Sequence, residues 1–211
     1  MTATGSTRRR NADRTRENIL AVATQEFADH GLSGARVDEI ARQTRTTKRM
    51  IYYYFTSKEQ LYIEVLEHAY RSIRSAEQQI DVDGLAPMAA LRRLAELTFD
   101  HHEAHPEFIR LVSIENTHRA EHMRKAPAFY AVNHPVIELI ERILRRGVLV
   151  GEIRSGLDPV DVHMLISSFC VFRVANRHTF ETIFGRDLLD AGDRQRHRTM
   201  LGDVVARYVS A

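Results

Sequence analysis

Residues 37–55 read Val-Asp-Glu-Ile-Ala-Arg-Gln-Thr-Arg-Thr-Thr-Lys-Arg-Met-Ile-Tyr-Tyr-Tyr-Phe. Val37, Ile40 and Ala41 recur at three- and four-residue spacing, so a short helix over 37–43 has one apolar face. The polar run Thr44–Thr46 interrupts it. Thr47 is placed to cap a second helix over 47–54, with Met50, Ile51, Tyr54 and Phe55 expected on its inner face. Two short helices joined by a tight turn make a helix-turn-helix, whose second helix lies in the major groove of DNA. Lys48, Arg49, Tyr52 and Tyr53 would then face outward, where cations and phenols meet phosphates, guanine edges and thymine methyls. The bland alternative is a solvated face on an ordinary helix pair.

Around this stretch the pattern is helical throughout. A first helix is expected from Arg14, with Leu20, Ala23 and Phe27 on one side and His30–Gly31 closing it. Ser57 is a good N-cap for a long helix whose stripe Tyr62, Leu66, Ala69, Ile73, Ala76, Ile80 packs for about five turns. Asp81–Gly84 breaks the chain. Beyond it, helices are predicted over 87–104, 105–118, 133–150, 159–184 and 193–209, with Pro87, Pro106, Pro135 and Pro159 each in a first turn. Met164–Ala175 is apolar on nearly every side and reads as buried all round, while Leu201, Val204, Val205 and Tyr208 form a stripe on the last helix. The fold class is all-α, a three-helix head on a helical bundle of about nine helices in total. The expected domains are a flexible basic arm over 1–13, a DNA-binding head over 14–60 and an effector-binding and dimerisation body over 61–211.

Charge distribution agrees with a polyanion partner at the front. The net charge is only +2, but residues 1–60 carry eleven basic against seven acidic side chains and the remainder nineteen against twenty-one. With 44% hydrophobic residues the chain can bury a core. One cysteine, Cys170 in an apolar run, excludes a disulfide framework and suits a reducing cytoplasm. No apolar run is long enough to span a membrane, and the basic start Met1–Arg10 has no apolar stretch behind it, unlike a secretory signal.

The head resembles the TetR family of transcriptional regulators. The likeness rests on Gly31, the pair Ile40–Ala41, and the run Tyr52-Tyr-Tyr-Phe-Thr-Ser-Lys-Glu-Gln-Leu61, and its detail covers about residues 14–70. It implies a homodimer that presents two DNA-reading heads to a palindromic operator, with a body that binds a small effector. Three positions depart from the family pattern. Arg36 follows Ala35 where a hydroxyl residue is usual, the turn reads Thr44-Arg45-Thr46-Thr47, and Arg49 replaces a common glycine. The extra arginines raise phosphate affinity and permit a further guanine contact. The candidate DNA-binding residues are therefore Arg36, Arg45, Thr47, Lys48, Arg49, Tyr52, Tyr53 and Lys58. Lys58 at a helix start is electrostatically misplaced for stability and fits a phosphate across the helix end. Arg8, Arg9 and Arg10, with Arg14 and Arg16, could equally be an arm in the minor groove or an idle tail.

In the body, Phe108, Asn116, Phe172, Arg173 and Asn176 mix rings with polar readers as a small-molecule site does, and the arginine suggests an aromatic or heterocyclic acid. The runs Glu115–His122 and Arg173–Phe180 loosely resemble regulators of pyrimidine or aromatic-compound breakdown. His101-His-Glu-Ala-His105 lacks the spacing of a helical zinc site and reads as a polar helix end, so neither metal nor cofactor is expected. No nucleophile elbow, phosphate loop or dinucleotide fingerprint is present, which argues against an enzyme, including a hydrolase using the histidines. A helical adaptor that binds only protein is the remaining competitor.

Overall fold

The computed structural model describes the backbone from Ala3 to Ala211 and side chains from Arg10 onward. Among these residues there are ten α-helices and no β-strand: α1 (Ala3–Gly34), α2 (Val37–Gln43), α3 (Lys48–Phe55), α4 (Lys58–Gln78), α5 (Pro87–Ala104), α6 (Pro106–Thr117), α7 (Ala128–Leu149), α8 (Pro159–Ala175), α9 (Arg177–Phe184) and α10 (Ala191–Val209). A single 3-10 turn, Met123–Lys125, precedes α7.

The described chain divides into two compact units. The first holds residues up to Ala69 together with Arg110–Pro127, and the second holds Tyr70–Ile109 and Ala128–Ala211. Helix α4 is continuous and contributes its first half to one unit and its second half to the other.

In the first unit, Ile19, Leu20, Ala23 and Phe27 of α1 are buried, as are Ile40, Ile51, Phe55, Leu61 and Tyr62. Phe27 and Tyr62 pack edge to face at 5.0 Å. Gly31 leaves the helical conformation at φ 63°, ψ 178°, where glycine carries no Cβ penalty, so α1 effectively ends where the sequence suggests. At its other end α1 begins at Ala3 rather than Arg14 and takes in the stretch expected to be an arm.

The second unit buries its core between α5, α7, α8 and α10, with Leu91, Leu94, Phe99, Ile140, Ile143, Val162, Ile166, Leu201 and Val205 at its centre. Pro87 and Pro159 sit in first turns as predicted. Pro135 does not. Helix α7 starts at Ala128, five residues early, and carries Pro135 inside it. The predicted helix 159–184 is two helices, parted at Asn176 (φ −100°, ψ 6°). The expectation of an all-round buried Met164–Ala175 is also corrected. Val162, Ile166, Cys170 and Arg173 turn inward, but Val160, Met164 and Phe172 are exposed in the single chain.

Candidate nucleic-acid interface

Helix α3 is short and strongly two-faced. Ile51 and Phe55 are buried in the head while Arg49, Tyr52 and Tyr53 are exposed, Tyr53 at 77%. Tyr54 is half-buried, and Met50, expected inward, lies outside at 39% exposure. The reason is helical phase. Ile51 and Phe55 are four apart and fix the inner line, and Met50 stands about 100° off it. The Thr47 hydroxyl accepts the Met50 amide at 3.2 Å, giving the predicted cap. Arg45 takes φ 52° in the turn, an uncommon conformation for a side-chain-bearing residue, and is exposed there.

Two supports of this geometry are not evident in the sequence. Glu26, 7% exposed, accepts the amide of Arg36 at 2.8 Å and so fixes the residue that leads into α2, which has no side-chain cap of its own. Arg16 forms an ion pair with Glu64 and lies over the Phe55 ring at 5.3 Å, so it braces the head. Arg8 and Arg9, proposed for a minor-groove arm, lie outside the described side chains, while Arg10 and Arg14 are exposed.

The remaining DNA candidates divide by how free their charge is. Lys48 forms an exposed ion pair with Asp38 at 3.1 Å, which screening and solvent make easy to exchange for a phosphate. Arg36 and Thr47 are exposed. Lys58 is half-buried with its Nζ 3.4 Å from the Ser33 carbonyl, so it has a partner inside the head. Ser57 caps α4 by accepting the Gln60 amide at 3.0 Å.

Two comparisons with known sequences bear on this surface. The model of bacterial regulatory proteins of the tetR family matches residues 19–65, and that of the tetracyclin repressor-like C-terminal domain matches residues 87–205. The chain belongs to the TetR family. It is 36% identical over 200 residues to the HTH-type transcriptional repressor NicS of Pseudomonas putida, covering 95% of this chain and 94% of that one. It is 31% identical over 150 residues to the HTH-type transcriptional regulator RutR of Escherichia coli K12, covering 70% and 66%. Among solved structures, the regulator SCO4942 from Streptomyces coelicolor superposes with a TM-score of 0.67 at 30% identity, over 92% of this chain and 98% of that one. As a TetR-family member the chain is a ligand-responsive DNA-binding transcriptional regulator rather than a protein-only adaptor.

Of the body residues singled out from sequence, the two rings and the arginine of the second unit fall in two groups of this TetR-family chain. Phe172 and Arg173 line a groove of about 540 Å³ with Phe169, Phe180, Leu188 and Val204. Arg173 is nearly buried, and its charge is already met: it pairs with Glu103 at 3.1 Å, donates to the Leu188 carbonyl at 2.9 Å and sits 4.0 Å above the Phe99 ring. Phe108 belongs to a different group of rings, with Tyr70 at 5.0 Å and His102 at 5.5 Å. Asn116 is exposed on α6, donating to the Val112 carbonyl at 3.0 Å, and Asn176 marks the break between α8 and α9. The histidine run does close a helix, with His101 and His102 in the last turn of α5 and His105 at its C-cap, but it is not simply solvated. His102 is 4% exposed, and the His101 and His105 rings lie 4.4 Å apart. Burial pushes the Cys170 thiol up to about 12, the state of an inert core thiol.

Proposed function

We propose that this chain is a repressor that binds a palindromic operator as a homodimer and leaves it when a small molecule binds the body. Residues 14–60 are the reading head and 61–211 the sensing and pairing part. Helix α3 enters the major groove, where Arg49, Tyr52 and Tyr53 meet base edges. Arg36, Arg45, Lys48 and Lys58 hold phosphates, and Thr47 serves both the helix cap and the backbone. The observation that carries the reading is the division of α3 itself. Two apolar side chains, Ile51 and Phe55, anchor it, and Lys48, Arg49, Tyr52 and Tyr53 are exposed on the other side. Because α4 is one unbroken helix, a shift imposed on its second half passes to its first. A two-headed reader is sensitive to such a shift, since half-sites are spaced by whole helical turns of DNA.

The test is a set of single substitutions read by footprinting and titration. Arg49→Ala or Tyr53→Ala should cost roughly 1–3 kcal/mol at the base pair each reads and relax specificity there. Lys58→Ala should weaken binding to every sequence alike and reduce the salt slope by about one. Unchanged operator affinity in all three variants would overturn the assignment of α3.

A further inference from the structure

The second unit buries a charged group whose charge the protein does not fully answer. Tyr70, Arg74 and Glu77 stand at i, i+4 and i+7 on α4 and so share one face. Arg74 is 7% and Glu77 2% exposed. Nη1 of Arg74 lies 2.8 Å from Oε2 of Glu77. The approach lacks hydrogen-bond alignment, and Nε and Nη1 of Arg74 and Oε2 of Glu77 have no hydrogen-bond partner. Three imidazoles feel the Arg74 charge: His101 and His102 of α5 and His163 of α8. His101 sets Nε2 3.2 Å from the Ser72 hydroxyl and leaves a buried Nδ1 unpartnered. His102 Nδ1 lies 2.8 Å from the Thr98 carbonyl, and His163 Nδ1 2.7 Å from the Ser167 hydroxyl. Beside them is a wall of rings. Tyr70 meets Phe108 at 5.0 Å and Phe129 at 5.7 Å, both edge to face.

The electrostatics of this group are lopsided. Desolvation raises the Glu77 carboxyl even beside Arg74, which weakens it as a counter-charge. Burial holds all three histidines below their ordinary value, so they are neutral and can act as donors or acceptors. Arg74 therefore lacks a full counter-charge in a place where an unanswered charge is costly. Polar groups left in this condition inside a native fold call for a functional explanation.

We propose that Arg74, with His101 and Glu77 beside it, seats the carboxylate of a small aromatic or heteroaromatic acid whose ring lies against Tyr70, Phe108 and Phe129. The proposal rests on the reading of this chain as a ligand-responsive repressor and assigns that ligand's site and class. One guanidinium offsets one negative charge, which fits a monocarboxylate better than a doubly charged phosphate. The ring wall excludes a purely polar acid, and the neutral imidazoles suit a ring nitrogen or hydroxyl as a second recognised group. The site differs from the groove at Phe172 and Arg173, where Glu103 already supplies the counter-charge.

The experiment uses the full chain and its operator fragment, with benzoate, the hydroxybenzoates, the three pyridine monocarboxylates and the carboxamide of each as probes. Calorimetry should find at least one acid that binds and releases the operator, with its carboxamide at least tenfold weaker. Glu77→Gln should bind that acid as tightly or more tightly. The double variant Arg74→Gln/Glu77→Gln leaves no lone buried charge and so retains the fold. It should lose affinity for the acid by roughly 10- to 100-fold, the scale of a charge-assisted hydrogen bond, while still binding operator. The site assignment is overturned if no acid binds, if acids and carboxamides bind alike, or if the double variant binds the acid unchanged. Each of those results leaves operator binding by the wild type intact, so the repressor reading stands. Conversely, a wild type that binds an acid through Arg74 but no DNA would refute that reading alone.

Discussion

His102 is held neutral inside the second unit by burial first, and the charge of Arg74 and the neighbouring His163 and His105 push in the same direction, against the pull of the Thr98 carbonyl. Its imidazole is lowered from 6.5 to about 4. Between those values the unfolded chain binds a proton that the folded chain refuses, so stability falls as pH drops from about 6.5 towards 4 and levels off below. Glu77 opposes this, since its raised carboxyl binds a proton in the folded state between 4.5 and about 7. The wild-type profile is the sum of such contributions, and the informative quantity is a difference. His102→Gln should show a shallower loss of Tm from pH 6.5 to 4 than the wild type, and superimposable profiles would refute the assignment. A second residue-scale prediction concerns Thr47, whose hydroxyl caps α3. Thr47→Ala should cost about 1 kcal/mol of stability. Thr47→Ser, which keeps the oxygen, should recover most of it in a urea titration.

Elements were legible in the sequence wherever a stripe faced a single core. The phase of α2 and α3 and the start of α4 at Ser57 follow from Val37, Ile40, Ile51, Phe55 and a hydroxyl cap. The start of α7 is misplaced in the sequence reading because Pro135 suggests a first turn there, as Pro87, Pro106 and Pro159 do where helices do begin. Pro135 costs α7 one backbone donor, yet Phe129 behind it and Val136 and Leu139 beyond are buried and carry the helix through it. Burial failed for the α8 stretch because an apolar side chain does not say whether its partner is in the same chain. The Arg74 cluster was missed for a related reason. The α4 stripe at 62, 66, 69 and 73 conceals a parallel line at 70, 74 and 77, where charged side chains sit on the inner face. A charged pair three apart within an apolar helix face was the available signal. Helix α7 also carries a packing limit. A Cβ at Gly147 would stand 2.4 Å from the Ile153 side chain, so Gly147→Ala should cost about 1–3 kcal/mol through overpacking. Ile153→Val in the same background should restore part of it, measured as the urea midpoint.

At the scale of the whole molecule the open question is what covers α8 and α10. The sequence treats Leu201, Val204, Val205 and Tyr208 as one stripe, but the structure splits it. Leu201 and Val205 are in the core, whereas Val204 is 44% and Tyr208 42% exposed, in company with Met164, Phe172 and Met200. Apolar side chains so arranged on two adjacent helices suit a second copy of the chain, four helices forming the contact. This division makes a clean experiment available. Val204→Glu places a charge that a monomer can solvate, so it should leave the thermal unfolding of the single chain nearly unchanged. In a dimer the same charge would be buried without a partner, at a cost of several kcal/mol. Sedimentation should therefore report monomers at micromolar concentration, and operator affinity should fall by about 100-fold or more as the two heads cease to act together. Val205→Glu, by contrast, should unfold the second unit outright. A wild type that sediments as a monomer, or a Val204→Glu protein that remains dimeric, would remove α10 from the contact.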